Sequence, residues 1–274
     1  MDEDVSFSSI AQAAGVLRGV AHLTPVMTNR ELDAAVAGNV FLKCENFQRT
    51  GAFKFRGAYN ALSHIRTLGS PNSSVVTISS GNHGQGIALA ASLLGFSAHV
   101  VMPKPISSIK HRAIAEGGGQ ISITGNRTSA EETVRKILAQ ERSTYVHAFN
   151  DPWVIAGQGT VMLELFEQVN ELDVLLAPVG GGGLLAGLCV AGHHLQPALK
   201  IFACEPSGAS DAAESIRLNK IVPMANPHTL ADGLRTSLGS KTLPILRAHL
   251  SGVLDVTEDE ILTAMRFGFE RLNW

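Results

Sequence analysis

Short apolar runs rich in β-branched residues recur along this chain, with helical stretches between them. Four of them lack the alternation of apolar and polar side chains that marks a half-solvated strand: residues 75–78, 98–102, 174–176 and 201–203. Such runs are typical of parallel strands buried on both faces. The helical stretches, each with Gly or Pro near an end, are residues 85–94, 109–116, 130–141, 154–169 and 184–195. This order predicts an α/β fold with parallel-rich twisted sheets and helices on both faces.

No linker rich in Pro, Gly and Ser interrupts this pattern cleanly, so the domain boundaries depend on two short segments. Residues 67–74 (TLGSPNSS) and 150–152 (NDP) carry the strongest turn signals. They predict a smaller domain of residues 74–149 inserted into a larger domain of residues 1–73 and 150–274.

The net charge and the cysteine content limit the classes of binding partner and the cellular compartment to be expected. The formal net charge is −2 and no Lys/Arg run is present, so neither nucleic acid nor an anionic membrane surface is an expected partner. The acidic first residues, and the lack of an apolar run of about 20 residues, argue against export and membrane insertion. The three cysteines form no C-x-x-C pair. They favour a reducing cytoplasm over a disulfide framework or a cysteine zinc site.

Four consecutive glycines follow the apolar strand of residues 173–179 and precede an apolar helix. Residues without Cβ let the backbone approach a ligand closely, and a helix N-terminus offers free N–H groups at the positive end of its dipole. The segment therefore predicts a phosphate-binding turn rather than a flexible linker. Its residues are Gly180, Gly181, Gly182 and Gly183.

The same segment also satisfies a relaxed dinucleotide fingerprint. Gly181, Gly183 and Ala186 have the required spacing. Glu205 follows about 20 residues later, at the end of the next strand, where an acid that binds a ribose is expected. A nicotinamide-dependent dehydrogenase is thus an alternative that this motif alone does not exclude.

A lysine between two phenylalanines lies in a second glycine-containing segment, residues 51–57. A helix is expected to open near Gly51, which places Lys54 in its first turn. Burial and the positive helix end would both lower the pKa of this lysine and leave a neutral amine able to condense with an aldehyde. The alternative is a lysine whose charged end reaches solvent, as on most helices.

A third segment, SSGNHGQG at residues 79–86, follows the strand of residues 75–78. Small and amide side chains at a helix N-terminus suit an anion such as the α-carboxylate of an amino acid, with Ser80, Asn82 and His83 as donors. The alternative is a polar turn with a capping Ser or Asn.

Together, these segments resemble the fold-type II pyridoxal-phosphate enzymes, in the branch of the serine/threonine dehydratases and serine racemases. The likeness covers nearly the whole chain. Its motifs are HLTP (22–25), KCEN (43–46), the lysine segment, SSGNHGQ (79–85), AGQGT (156–160), the four glycines and ADG (231–233). Several motifs in this order are far more specific than the dinucleotide fingerprint. The resemblance implies a two-domain fold similar to the β subunit of tryptophan synthase.

The resemblance also implies a role for each segment. Lys54 would carry pyridoxal phosphate as a Schiff base, with Phe53 packed near the ring. Asn82 would bind the ring hydroxyl, and the four glycines would bind the cofactor phosphate. The substrate carboxylate would be held by a set of four residues, Ser80, Gly81, Asn82 and His83.

The implied activity is that of an ammonia-lyase (dehydratase) that acts on L-serine, L-threonine or a similar 3-hydroxy amino acid. Lys54 would take the α-proton, the β-hydroxyl would leave as water, and the products would be a 2-oxoacid and ammonia. In racemases of this branch the serine that matches Ser80 lies on the opposite face of the ring. A serine racemase and a hydroxyaspartate dehydratase therefore stay open. The resemblance also implies a homodimer.

Residues 205–211 (EPSGASD) resemble the divalent-cation loop of the racemase-like members. The carboxylates of Glu205 and Asp211 and the carbonyl of Ala209 would supply the hard oxygen ligands that suit Mg²⁺ or Ca²⁺. The alternative is a solvated acidic loop.

The end of the chain carries one further expectation. Thr257 and Glu260 form a capping box, so a helix should begin there and run through Met265 and Phe269. The resemblance implies a further strand beyond it, with a small polar residue that contacts the pyridine nitrogen, and no residue here matches that partner. We therefore expect the 274-residue chain to bind pyridoxal phosphate poorly and to have little or no dehydratase activity. An inactive relative is the remaining alternative.

Overall fold

The computed structural model describes residues 4–69, 73–140 and 142–272. The helices of these residues are α1 (Phe7–Leu17), α2 (Arg30–Val36), α3 (Lys54–Thr67), α4 (Asn82–Leu94), α5 (Ser108–Glu116), α6 (Arg127–Gln140), α7 (Pro152–Gln168), α8 (Gly183–Leu195), α9 (Ala212–Leu218), α10 (Thr242–His249) and α11 (Glu258–Arg271). The strands are β1 (Val26–Met27), β2 (Leu42–Lys43), β3 (Ser74–Ile78), β4 (Ser97–Pro103), β5 (Gly119–Thr124), β6 (Ser143–Tyr145), β7 (Val174–Pro178), β8 (Lys200–Pro206) and β9 (Gly252–Val256). Within the described ranges, no helix is both long enough and apolar enough to span a membrane.

Four parallel strands form one sheet, in the order β5-β4-β3-β6. Side chains alternate across β4, so Val100 and Met102 pack with Ile114 of α5, whereas Val101 packs in a separate cluster with Val134 of α6. Helices therefore cover both faces of this sheet. Strand β3 is buried over residues 75–78, as its uninterrupted apolar sequence predicts.

Strands β7, β8 and β9 form a three-stranded parallel sheet. Ala177 and Ile201 belong to the largest buried cluster, to which α7 and α8 contribute most of the other side chains. Val174, however, is 47% exposed and Leu176 is 57% exposed. The prediction that residues 174–176 are buried on both faces is therefore wrong, because the described residues leave one face of β7 open to solvent.

Glycines let the central helices approach one another closely. A Cβ added at Gly157 of α7 would lie 2.6 Å from the Cα of Gly57 in α3. A Cβ at Gly187 of α8 would lie 2.6 Å from the backbone nitrogen of Gly159 in α7. Because these contacts join α3, α7 and α8 backbone to backbone, they fix the position of Lys54, the first residue of α3.

Helix α4 begins three residues earlier than the sequence predicts. Gly81 is its N-cap residue, with an extended φ of −155°, and the Gly81 carbonyl accepts a hydrogen bond from the N–H of Gln85. Asn82 and His83 therefore lie in the first turn of the helix rather than in a loop.

Helix α3 begins later than predicted, at Lys54 instead of near Gly51. Thr50 and Gly51 have φ values of 62° and 70°, which no α-helix accommodates, so residues 49–51 form a separate short turn. Lys54 remains in the first helical turn, as predicted.

Helix α11 begins as the capping box predicts. The Thr257 hydroxyl accepts from the Glu260 N–H, and the Glu260 carboxylate accepts from the Thr257 N–H. The helix continues to Arg271, with Met265 62% exposed and Phe269 75% exposed. Trp274, at the end of the chain, lies outside the described residues.

The strands of the two larger sheets occupy separate parts of the chain. The four-stranded sheet spans residues 74–145 and the three-stranded sheet spans residues 174–256. The proposed domain boundaries near residues 73 and 150 stay predictions. Residues 70–72 of the first crossing, and residue 141 at the end of a predicted helix, lie outside the described residues.

Candidate active site

A cavity of about 240 Å³ opens where β3 and β7 end, with Ile78 and Pro178 in its wall. The loops that leave the carboxyl ends of parallel strands are where α/β sheets usually bind ligands. Ten residues that the sequence predicts for cofactor and substrate line this cavity: Phe53, Lys54, Ser80, Gly81, Asn82, His83, Gly180, Gly181, Gly182 and Gly183. The predicted cation ligands Glu205, Ala209 and Asp211 are not part of its lining.

Lys54 presents an amine of lowered basicity to this cavity. Its Nζ donates a hydrogen bond to the carbonyl oxygen of Ala148 at 2.9 Å and lies 5.2 Å from the centroid of the Phe53 ring. Burial lowers the pKa of Lys54 to about 8. A substantial neutral fraction is therefore present near that pH, which is what condensation with an aldehyde requires.

A buried ion network fixes the helix that carries Lys54. The fully buried guanidinium of Arg56 donates to Glu45 at 2.8 Å and to Glu164 of α7 at 2.6 Å. Lys43 also donates to Glu164, at 2.9 Å. Charge-assisted bonds of this kind are strong where water is excluded, and their loss leaves a buried charge unmatched. They anchor α3 two residues beyond Lys54.

The turn between β3 and α4 leaves donors free at the cavity. The Ser79 hydroxyl accepts from the N–H groups of Gly81 at 3.2 Å and Gly84 at 2.9 Å, and these bonds hold the turn. Gly81 supplies no side-chain cap to α4, and Ser80 is exposed. The N–H groups of Asn82 and His83, which Ser79 does not engage, and the Ser80 hydroxyl are thus available to an anion.

His83 is a buried polar side chain in the wall of the cavity. It is 3% exposed, and neither ring nitrogen has hydrogen-bond geometry with a described residue. Burial, and then the charge of Lys54, hold the pKa of His83 well below its usual value. The ring is therefore neutral, with one donor and one acceptor nitrogen. The backbone of Val146 faces the ring and acts on this pKa in the opposite direction.

The four glycines turn the chain from β7 into α8, and the side chains of Phe149 and Thr242 pack closely against Gly181. A Cβ at Gly181 would lie 2.3 Å from the ring of Phe149, and the Gly181 carbonyl accepts from the Thr242 hydroxyl at 2.9 Å. Gly182, the N-cap residue, has a φ of +84° and no side chain to cap the helix. Within the described residues the first N–H groups of α8 therefore have no side-chain acceptor, and they lie at the positive end of the helix dipole.

These three features fit pyridoxal phosphate. The amine of Lys54 suits an aldehyde, and the glycine turn suits a phosphate, since α8 is uncapped there. His83 adds a buried neutral ring to the lining of the same cavity. The aldehyde and the phosphate of the cofactor therefore each have a candidate partner in one cavity.

Glu205 is bound to its own chain rather than free for a ribose. Its two carboxylate oxygens accept from the N–H groups of Ala212 at 2.9 Å and Ala213 at 3.0 Å, at the start of α9. Glu205 is also 2% exposed and outside the cavity lining. The acidic partner on which the dinucleotide interpretation depends is therefore missing.

The predicted cation loop forms a separate cluster. Asp211 accepts from the Leu238 N–H at 3.3 Å. Burial raises the pKa of Asp211 to about 6, and the charge of the neighbouring Glu205 adds to the rise. The described part of the chain contains no group of three or more His, Cys, Asp or Glu side chains placed to hold a metal ion. Metal binding through Glu205, Ala209 and Asp211 therefore stays a prediction.

The cavity lining also includes four side chains to which the sequence assigned no role: Lys110, Arg127, Phe149 and Asp232. Asp232 belongs to the ADG motif, which was noted only as part of the family resemblance. Lys110 and Arg127 lie near the starts of α5 and α6, where charged residues are common on any protein surface. Nothing in their local sequence marks them as cavity residues.

Comparison with known proteins agrees with this geometry. The family model "Pyridoxal-phosphate dependent enzyme" matches residues 18–272. Human serine racemase is 41% identical over 273 residues, which are 98% of this chain and 80% of the human protein. The L-threo-3-hydroxyaspartate ammonia-lyase of a Pseudomonas species is 41% identical over 270 residues, which are 98% of this chain and 84% of that protein.

A solved structure shares the fold as well. Threonine deaminase from T.th. has a TM-score of 0.92 and 38% identity, and the match covers 98% of this chain and 87% of that one. The named activities of these three relatives differ, so the comparisons support a family rather than one reaction. Since the family match runs through all three segments that meet at the cavity, the chain belongs to the fold-type II pyridoxal-phosphate-dependent enzymes, whose cofactor is pyridoxal phosphate.

Proposed function

We propose that this protein is an ammonia-lyase that acts on a small 3-hydroxy amino acid, such as L-serine or L-threonine, and releases a 2-oxoacid and ammonia. The observation that carries the proposal is the position of Lys54, which lines the cavity and donates from Nζ to the Ala148 carbonyl at 2.9 Å, and whose pKa burial lowers to about 8. Lys54 shares its cavity with two helix N-termini: that of α8, which no side chain among the described residues caps, and that of α4, of whose N–H groups Ser79 engages only that of Gly84. One can receive the substrate carboxylate and the other the cofactor phosphate.

Each side of the cavity has a task in this proposal. When bound, pyridoxal phosphate would accept the electrons left on the α-carbon after proton loss. The Nζ of Lys54 would take that proton, and the carbonyl of Ala148 would orient the amine through the bond at 2.9 Å. Phe53 would pack near the cofactor ring and Asn82 would donate to the ring hydroxyl. The four glycines would hold the phosphate.

The loop before α4 would set the orientation of the substrate. A carboxylate bound there accepts from backbone N–H groups and from the Ser80 hydroxyl, which fixes the α-carbon relative to Lys54. His83 would supply a neutral donor at the same place. The four residues that we assign to substrate binding are Ser80, Gly81, Asn82 and His83.

A serine racemase is the second candidate, and the position of Ser80 favours it. Racemisation needs a proton-transferring group on each face of the α-carbon, whereas elimination needs a base for the α-proton and a donor for the leaving hydroxyl, with no second group at the α-carbon. Ser80 is exposed and shares the cavity with Lys54, so it can supply the second group. The identity of 41% to human serine racemase supports the same alternative.

A substrate panel separates the two candidates. The protein, loaded with excess pyridoxal phosphate, would be incubated with L-serine, L-threonine and L-threo-3-hydroxyaspartate, and ammonia, 2-oxoacid and D-isomer would be measured. The proposal predicts equal amounts of ammonia and 2-oxoacid from at least one substrate, and none with Lys54→Ala. D-serine without 2-oxoacid would identify a racemase instead. A cofactor-loaded protein that changes none of the three substrates would refute both candidates and favour the inactive relative that the sequence left open.

We further propose that the protein is a cytoplasmic homodimer. Its three cysteines are free thiols, which suits a reducing compartment. The dimer is supported by the family resemblance. Light scattering on a size-exclusion column tests it, and a monomeric mass at all concentrations would refute it.

A further inference from the structure

A salt bridge joins the two sides of the cavity. Lys110 lies in α5, which packs on the four-stranded sheet, and Asp232 lies in the loop between α9 and α10. The Nζ of Lys110 and the Oδ2 of Asp232 form an ion pair, and both residues line the cavity. We propose that this pair positions the substrate-binding loop, residues 80–83, against the phosphate-binding turn, residues 180–183. The proposal rests on the proposed function for its kinetic consequences but not for its structural ones.

The side chain of Lys110 covers the substrate-binding loop directly. A Cβ added at Gly81 would lie 3.4 Å from the Nζ of Lys110 and 3.5 Å from its Cδ. The lysine side chain therefore occupies the space next to Gly81, the N-cap residue of α4, where a larger residue would place its Cβ. Movement of Lys110 away from the cavity would uncover this loop.

The residues that follow Asp232 in the chain pack against the phosphate-binding turn. A Cβ added at Gly180 would lie 3.0 Å from the Cα of Leu234 and 3.3 Å from the carbonyl oxygen of Gly233. The backbone just after Asp232 thus packs on the first residue of the phosphate-binding turn. The ion pair completes a continuous set of contacts from Gly81 to Gly180.

The exposure of the pair sets the size of its effect. The side chain of Lys110 is 23% exposed and that of Asp232 is 57% exposed. Water therefore screens the charges in part, and the loss of such a pair changes an equilibrium by about threefold to fivefold. Because both loops are held by further contacts, that change should appear as looser loops and weaker substrate binding, with the chemical step little affected.

Hydrogen–deuterium exchange on the cofactor-loaded protein tests the positioning role without any turnover. The variants are Lys110→Ala, Asp232→Ala and the charge exchange Lys110→Asp with Asp232→Lys. In either single variant we expect the segments 79–86 and 228–236 to exchange about threefold faster. The charge exchange should restore most of the protection. Unchanged exchange in both segments, or a charge exchange no better than the single variants, would overturn the proposal.

A matched control separates this role from the loss of any surface charge pair. Arg271 and Glu31 also join two elements, α11 and α2, and are 58% and 57% exposed. Glu31→Gln should leave the exchange of both cavity segments unchanged. If it accelerates them as much as Lys110→Ala does, the effect is not specific to the cavity pair and the proposal fails.

Steady-state kinetics then distinguish the failure of this inference from that of the proposed function. Where a hydroxy amino acid is turned over, Lys110→Ala should raise KM about threefold to fivefold, with a smaller change in kcat. A lower kcat at unchanged KM would contradict a positioning role. A wild-type protein that binds the cofactor but turns over none of the panel refutes the proposed function alone, since the exchange experiment still decides the role of the pair.

Discussion

The burial of Lys54 predicts a stability difference that depends on pH, measured on cofactor-free protein with Lys54→Met as the comparison. The pKa of Lys54 falls from an ordinary value of 10.5 to about 8 in the fold. Between these values the unfolded chain holds more protons on this lysine than the folded chain does. The stability of the wild type should therefore rise with pH across this window, relative to the variant.

The size of the effect follows from the shift. At about 1.4 kcal/mol for each pKa unit, the drop from 10.5 to about 8 corresponds to about 3 kcal/mol. Lys54 borders a cavity that admits water, and screening reduces this value, so we expect about 2 kcal/mol. The variant also loses the hydrogen bond to the Ala148 carbonyl, a cost of about 1 kcal/mol that does not vary with pH.

Urea unfolding of both proteins at intervals from pH about 8 to 10.5 measures the difference. Burial raises the pKa of the Cys44 and Cys189 thiols, which lowers stability at high pH, but both proteins share this effect and it cancels. Lys136→Met, at an exposed position of α6, reports the effect of removing one positive charge. A wild-type advantage that stays flat across the window, or falls, would refute the reasoning.

Three further predictions concern the glycine turn, the second face of the substrate and the cation loop. Gly181→Ala should lower the free energy of unfolding by about 1 to 3 kcal/mol, because its Cβ meets the Phe149 ring at 2.3 Å; Gly15→Ala, with no atom within 4 Å, should be neutral or stabilising in the same urea titration. Ser80→Ala should slow any racemisation more than elimination, and equal loss of both rates would contradict a role on one face only. A chelator should lower the thermal midpoint of the wild type but not of Glu205→Gln if a cation binds there, and identical midpoints with and without chelator would leave the loop without a metal.

The segments of the cavity were predictable because each is a local pattern at the end of a strand. The four glycines and the SSGNHGQG segment each follow a strand of a parallel sheet, and the carboxyl ends of such strands are where ligands usually bind. Lys54 was recognisable from its two flanking phenylalanines and from Gly51 and Gly57. The motif resemblance then joined three segments that are far apart in sequence.

Features that depend on contacts between distant segments were not predictable. The ion pair of Lys110 and Asp232 joins residues 122 positions apart, and neither has a distinctive local sequence. The engagement of Glu205 by the first N–H groups of α9 depends on how the chain turns after β8, so spacing alone allowed a ribose or a cation as its partner. The open face of β7 could not be foreseen either, because an apolar run does not specify which of its faces is covered.

The measurement that tests the central claim most directly is borohydride reduction of the protein loaded with excess pyridoxal phosphate, followed by peptide mapping. If Lys54 forms the Schiff base, we expect a stable phosphopyridoxyl group on the peptide that contains Lys54, and no labelled peptide from Lys54→Ala. A label on another lysine, or the absence of any label from wild-type protein saturated with cofactor, would contradict it.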